Sequence, residues 1–218
     1  MNKIPVYFMP GLAASPQIFE YIKLPEDQFE MYFLEWILPI VNESLVSYAQ
    51  RIAKKIIHEN PVIIGVSFGG VLVQEISKLI KVRKTIIISS VKSNLEFPQR
   101  MKLARNTKIY KILPYKWVEN FENYNKYAFG KTLKQRFRLY KKYLSVNNAD
   151  YLSWAVQTII LWDRVIPDDH IVHIHGTNDL VFPIKNIKNC IEVEGGTHIM
   201  ILNKHKWFND NLSRIILE

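Results

Sequence analysis

Three short segments of this chain carry residue types that together can activate a hydroxyl group. The first is PVIIGVSFGGVLVQEI, in which Gly65-Val66-Ser67-Phe68-Gly69 fits the pattern G-x-S-x-G, with an apolar run before it and a helical pattern after it. A serine on a tight strand-to-helix turn is held in a strained conformation. Side chains two positions to either side would collide with neighbouring backbone, so the pattern has glycine at both. Such a turn lifts the hydroxyl clear of the sheet at the positive end of the helix, where the backbone N–H of Phe68 can face a developing oxyanion. A serine hydroxyl is a weak nucleophile without a base. Two downstream segments supply the missing groups in the order Ser, Asp, His: HGTND, ending at Asp179, and GGTH, ending at His198. The chemistry these residues predict is nucleophilic attack by Ser67, proton transfer to His198 as general base, and an Asp179 carboxylate that fixes the imidazole tautomer and stabilises the imidazolium.

For these residues to meet, the elements that carry them must end at one edge. Short runs rich in Val, Ile, Tyr and Phe predict strands at Ile4–Met9, Glu30–Trp36, Val62–Val66, Thr85–Ser89, Ile171–His175 and Asn189–Val193. Several are apolar on both faces, as in strands covered by helices on both sides. Helical signals lie between them. Ser15-Pro16 reads as an N-cap and first-turn proline leading into QIFEYIKL. In ESLVSYAQRIAKKIIHE the residues Leu45, Tyr48, Ala49, Ile52 and Ile56 form one apolar face. The stretch from Gly69 to Ile80 follows the third strand directly. This alternation predicts a parallel sheet wound by right-handed crossovers, with Ser67, Asp179 and His198 in loops at the carboxyl ends of three strands, where parallel sheets bind ligands.

The stretch between the fourth and fifth strands reads differently. It holds no convincing strand, several helical stretches such as TLKQRFRLYKKYL, and the aromatics Tyr110, Tyr115, Trp117, Phe121, Tyr124, Tyr127, Phe129, Tyr140, Tyr143, Tyr151, Trp154 and Trp162. From Lys92 to Arg164 there are 15 Lys/Arg against 5 Asp/Glu, leaving 14 of the 29 basic and 15 of the 20 acidic residues for the rest of the chain, so this one segment supplies the whole net charge of +9. We read residues 92–165 as a helical insertion, and 1–91 with 166–218 as the core that carries it. Most of its aromatics are expected to be packing residues, with a few left to line a pocket. Its charge is either a solvated helix face or an attraction for an anionic substrate or carrier, such as a phosphopantetheine thioester. Nucleic acid is not expected as a partner, because the basic residues share helices with bulky apolar ones and no nucleic-acid-binding motif is present.

The segments GVSFGG, HGTNDLVFP and GGTHIM, with the opening VYFMPGLAAS, resemble the α/β-hydrolase family in order and spacing. The resemblance covers residues 4 to about 91 and 171 to 218. It implies a three-layer fold and places the helical insertion where the family carries its cap, or lid. Members usually have a histidine-glycine pair opening the loop that gives a second oxyanion-hole N–H; the matching pair here is Pro10-Gly11, which makes Leu12 the donor. Members also usually begin with an antiparallel hairpin, for which only three residues precede the first strand here. The expectation is therefore a shortened, six-stranded, all-parallel sheet of order 2-1-3-4-5-6, flanked by helices.

Other residues compete for roles. His170, His173 and His175 suggest a metal cluster, but alternation puts only His173 and His175 on one strand face and no carboxylate or cysteine set has metal-ligand spacing, so no metal is expected and His175 is read as a buttress for the Asp179 loop. Cys190, the single cysteine, reads as a small buried strand residue rather than a nucleophile. It excludes an intrachain disulfide and suits a reducing compartment. Asp163 is a fallback for the acid, and His58 and His205 are expected at the surface. At 218 residues, 48% hydrophobic and 22% charged, the chain has the size and composition of one ordinary globular domain. With neither a continuous signal-peptide run nor a bilayer-length apolar stretch, it is expected to be cytoplasmic with no membrane span. The function expected is cofactor-free hydrolysis of a small or medium acyl ester through an acyl-enzyme. A thioesterase acting on an anionic thioester uses the same machinery. A module that retains the triad to bind or signal with a small ligand is the contrasting reading. The resemblance also extends to cofactor-free lyases and haloperoxidases.

Overall fold

The computed structural model describes residues 3–112 and 142–218. The cap aromatics Tyr115, Trp117, Phe121, Tyr124, Tyr127, Phe129 and Tyr140, and most of TLKQRFRLYKKYL, lie outside the described residues. Six strands form one sheet: β1 (Ile4–Met9), β2 (Phe29–Phe33), β3 (Val62–Val66), β4 (Lys84–Ile88), β5 (Val172–Gly176) and β6 (Ile191–Val193). Their order is β2-β1-β3-β4-β5-β6 and every pairing is parallel, as the sequence led us to expect. Among the described residues the α-helices are α1 (Leu45–Ala53), α2 (Phe68–Ile76), α3 (Gln99–Thr107), α4 (Ala149–Leu161), α5 (Met200–Asn203) and α6 (His205–Leu217).

Alternation along the strands sorts the core into two layers. Tyr7, Met9, Ile63 and Ile87 face α1, α2 and α4, meeting Tyr48, Ile52, Leu72, Ile76, Tyr151 and Ala155. Val6, Phe8, Ile64, Ile86 and Ile174 face the opposite way, against Phe19 and, on α6, Phe208, Leu212 and Ile216. β3 is buried at every position, which explains why it reads as an unbroken apolar run rather than an alternating one. Each fully buried aliphatic or aromatic side chain contributes about 1.5–3 kcal/mol, so the two layers hold the central strands firmly enough to carry strained loops at their ends. Among the described residues no helix is long and apolar enough to cross a membrane.

Several element boundaries differ from expectation. After Ser15-Pro16 the chain makes only a four-residue 3-10 turn, Pro16–Phe19, and the Ser15 hydroxyl makes no capping bond. Ile18, Phe19 and Ile22 bury themselves there instead. α1 ends at Ala53 rather than Glu59: its apolar face runs out at Ile56, Ile57 is exposed, and the Ile57 N–H turns to the Tyr7 hydroxyl. β2 starts one residue early and stops at Phe33; Leu34 makes one more bond to Phe8, and Trp36 then leaves the sheet. β6 is cut to three residues at the sheet edge, where it has one partner strand. Cys190 lies just ahead of it, half-buried.

Gln74 on α2, fully buried, ties this layer together. Its side-chain N–H groups donate to Gly70 and Val91 carbonyls at 2.9 Å each, and its oxygen accepts from Arg164 at 2.9 Å, just past α4. Gln74→Leu keeps the volume but leaves the Val91 carbonyl and the Arg164 guanidinium without this partner. Urea denaturation is expected to show a loss of about 1–3 kcal/mol with an unchanged m value. A loss within experimental error of zero would mean that water replaces these bonds freely.

Candidate active site

At the end of β3 the backbone takes one abrupt turn. Ser67 has φ 52° and ψ −119° and caps α2. For a residue with a side chain this region costs about 1–3 kcal/mol, so the surroundings must enforce it. They do so with the Ser67 N–H donating to Ile88 at 2.9 Å and the Ser90 hydroxyl donating to the Ser67 carbonyl at 2.7 Å, both from the end of β4. The flanking glycines explain themselves by close approach. A Cβ on Gly65 would overlap the Gly69 carbonyl, and one on Gly69 would overlap the Pro10 and Met9 carbonyls. The turn is therefore packed against the end of β1, which brings Gly11 alongside the Ser67 side chain.

The other two predicted residues arrive from β5 and β6. Gly176, closing β5, and Gly196, beyond β6, lie so close that a Cβ on either would meet backbone of the other. Between them the Asn178 N–H donates to Gly196 at 2.8 Å, Thr177 N–H to Val193 at 3.1 Å, and Gly195 N–H to the Thr177 hydroxyl at 2.8 Å. These bonds dock the Asp179 loop against the His198 loop. The structure brings all three residues together: His198 Nε2 lies 2.9 Å from Ser67 Oγ, and His198 Nδ1 lies 2.8 Å from Asp179 Oδ2. Asp179 is buried, whereas the His198 side chain keeps 23% of its surface exposed and Ser67 is half-buried. The other carboxylate oxygen, Oδ1, accepts the Val181 N–H at 2.7 Å and the Phe182 N–H at 2.9 Å. Burial pushes the Asp179 carboxyl up, but the His198 hydrogen bond and charge, with the Phe182 and Val181 N–H groups, outweigh it and hold the carboxyl below its ordinary value. An ionised Asp179 accepts only, so Nδ1 of His198 carries its proton and Nε2 is left to accept from the Ser67 hydroxyl.

No protein-family model matches this chain, and no curated protein matches it. Solved structures do match. An enol-lactonase from Burkholderia xenovorans aligns with a TM-score of 0.69 at 11% identity, over 100% of this chain and 93% of that chain. An esterase from Thermogutta terrifontis gives 0.66 at 10% identity, over 99% and 90% of the two chains. A bromoperoxidase from Bacillus anthracis gives 0.64 at 18% identity, over 99% and 92%. The chain has the α/β-hydrolase fold.

Within that α/β-hydrolase fold the remaining candidates sort by contact. Leu12 follows Gly11 beside Ser67, and Phe68 opens α2, so both have backbone N–H groups that intrahelical or sheet bonds do not use; among the described residues neither donates to a neighbour. Asp163, the fallback acid, is exposed and lines a groove of about 490 Å³ with Glu43, Glu75, Gln157 and Arg164, a groove that no residue of the triad lines. His58 is not a free surface residue: it is half-buried, held between the Tyr7 hydroxyl at 2.6 Å and the Tyr32 hydroxyl at 3.2 Å. His205 is also half-buried, its Nδ1 bonded to the Leu202 carbonyl. His170 is exposed and apart from the pair His173–His175, whose rings bond at 3.0 Å. His175 Nε2 donates to the Phe182 carbonyl at 2.8 Å, on the very residue whose N–H holds Asp179. Sequence reasoning missed Trp36 and Tyr151, which hydrogen-bond to the loop after β1; Trp36 read as the last residue of a strand and Tyr151 as one packing aromatic among many, and no motif marks them.

His173 and His175 make the fold sensitive to acid. Burial pushes His173 well below the usual histidine range, with His175 and Lys92 adding to the effect, and burial lowers His175 against the opposing pull of the Phe182 carbonyl and Asp179. With the folded-state value depressed, the unfolded chain binds more protons. Their contribution is present above an unfolded value of about 6.5 and is lost as pH falls below it. Between pH 7.5 and 5.5 the His173 contribution falls by about 1 kcal/mol. Urea midpoints across this range are expected to decline in the wild type and to decline less steeply in His173→Leu. Parallel slopes would show that His173 does not remain neutral.

Proposed function

We propose that the protein is a serine hydrolase that cleaves a small or medium acyl ester through an acyl-enzyme. The observation that carries the reading is the continuous hydrogen-bonded line Ser67 Oγ–His198 Nε2 and His198 Nδ1–Asp179 Oδ2, at 2.9 and 2.8 Å. Ser67 Oγ attacks the carbonyl carbon as His198 Nε2 takes its proton. Asp179 keeps the tautomer fixed and its carboxylate stabilises the imidazolium. The tetrahedral oxyanion is received by the Leu12 and Phe68 N–H groups, the second at the positive end of α2. Collapse expels the alcohol, protonated by His198 Nε2, and leaves an ester on Ser67. His198 then takes a proton from water, the hydroxide attacks the acyl carbon, and Ser67 recovers its proton as the acid leaves. No step calls for a cofactor. That an enol-lactonase and an esterase share the fold supports an ester bond as the target. The half-buried helical residues near the end of this segment, with the aromatic Trp154 among them, support the proposal that residues 92–165 act as a cap over the acyl group.

Labelling with a fluorophosphonate probe tests the activated serine, and nitrophenyl acetate and butyrate test turnover. Wild type is expected to label and turn over, Ser67→Ala to do neither, and His198→Ala to lose about 10⁴-fold or more in kcat. Asp179→Asn, with the wrong tautomer favoured at His198, is expected to lose about 10³–10⁴-fold. A folded wild type that neither labels nor turns over would overturn the hydrolase reading in favour of a ligand-binding module.

A further inference from the structure

The loop that presents Leu12 begins with Pro10-Gly11, which offers neither a backbone N–H at its first position nor a polar side chain at either. Its orientation must be supplied from outside, and two buried aromatics supply it. The indole Nε1–H of Trp36 donates to the Gly11 carbonyl at 2.7 Å, and the Ala14 N–H adds a second bond to that carbonyl at 3.0 Å. The Gly11 carbonyl and the Leu12 N–H belong to one planar trans peptide unit and point in opposite directions. Pinning the oxygen therefore aims the N–H. A donor on the oxygen also polarises the amide and makes its N–H a stronger donor. In the next peptide unit the Ala13 N–H, at a residue with φ 59°, donates to the Tyr151 hydroxyl at 3.1 Å. Trp36 is 5% exposed and Tyr151 fully buried, so water does not compete for either bond.

Trp36 also reaches the other donor. Its ring stacks on that of Phe68 with centroids 5.1 Å apart and planes 5° from parallel. One side chain thus holds the peptide that ends in the Leu12 N–H and packs against the residue that carries the Phe68 N–H.

We propose, on the hydrolase reading above, that Trp36 is a positioning residue for the oxyanion hole. It acts through the Gly11–Leu12 peptide, and Tyr151 fixes the peptide that follows. Neither side chain touches the substrate. Trp36 is more than a filler of the core, because the hydrogen bond and the ring have separable effects.

Trp36→Phe retains an aromatic ring against Phe68 and removes the indole donor. In nitrophenyl ester hydrolysis it is expected to lower kcat by about 10–100-fold with KM changed less than threefold, a loss smaller than that for deleting a donor outright. A trifluoromethyl ketone, which forms a tetrahedral oxyanion on Ser67, is expected to bind more weakly by the same factor, whereas a simple carboxylate product binds as before. A merely structural role would not produce that proportion. Backbone ¹⁵N relaxation at Leu12 gives a readout that does not depend on turnover: its order parameter is expected to fall from about 0.85 toward 0.6 in the variant. Unchanged kcat, or a fall in kcat with unaltered ketone affinity, overturns the proposal. If wild type shows no turnover, the hydrolase reading fails separately. The Leu12 order parameter then decides the anchoring alone, and an unchanged value overturns it. Should Trp36→Phe not fold, Tyr151→Phe removes only the acceptor of the Ala13 N–H. It is expected to show a three- to tenfold fall in kcat, again in proportion to ketone affinity, and a fall in neither would overturn the proposal.

Discussion

Most of what surrounds the site follows from one backbone conformation, the positive φ of Ser67 at the junction of β3 and α2. A side-chain-bearing residue does not rest there unless its neighbours make every alternative worse. The strand before it is buried along its whole length and the helix after it is buried at all nine positions, so neither can shift to relax the turn. The bonds from Ser67 to Ile88 and Ser90 extend the constraint to β4, and the contact of Gly69 with the Pro10 and Met9 carbonyls extends it to β1. Strain of this size is small beside the two buried layers, which is why the fold can hold it.

The same constraint fixes what stands beside the serine. Once Gly69 is in contact with the end of β1, the chain leaving β1 has to pass over the head of α2. The loop from Gly11 to Ser15 then has few partners of its own. It is completed by residues between β4 and β5: Ser145 N–H donates to Ala13 at 2.8 Å, Ser15 N–H to Tyr143 at 2.6 Å, Ala14 pairs antiparallel with Leu144, and Tyr151 receives the Ala13 N–H. Tyr143 in turn donates to Glu20. This loop is therefore settled by tertiary contacts, several of them across more than a hundred residues of sequence.

That division explains what the sequence made legible. Ser67, Asp179 and His198 could be read because each sits in a local pattern with a steric cause: glycines where no Cβ fits, directly after an apolar strand. The parallel sheet could be read because strands covered on both faces need apolar residues throughout, whereas its order came only with the resemblance to the α/β-hydrolase family. Trp36 and Tyr151 could not, since an indole N–H bonded to a carbonyl 25 residues away leaves no trace in spacing or composition. His58 was misplaced for a similar reason. It follows the charged end of α1, where a surface histidine is the ordinary expectation, and only the folded sheet brings the Tyr7 and Tyr32 hydroxyls to its two nitrogens. The ends of α1 and β2 differed because helix and strand patterns continue past the point where tertiary bonds take the backbone elsewhere, to the Tyr7 hydroxyl in one case and out of the sheet at Trp36 in the other.

A buried carboxylate with two imidazoles in reach poses a problem of allocation. Asp179 Oδ2 lies 2.8 Å from His198 Nδ1 and 3.6 Å from His175 Nε2. Were both rings to take up a proton, the negative charge would be shared and its hold on His198 weakened. Burial keeps His175 neutral, and its one N–H is already committed to the Phe182 carbonyl. The His173 ring completes the assignment, because its Nε2–H can donate to the Nδ1 that this tautomer of His175 leaves unprotonated. His175 is thereby made a support for the Phe182 peptide rather than a rival for the carboxylate. The charge of Asp179 is left to act on His198, the most exposed of the three rings and the one that touches Ser67.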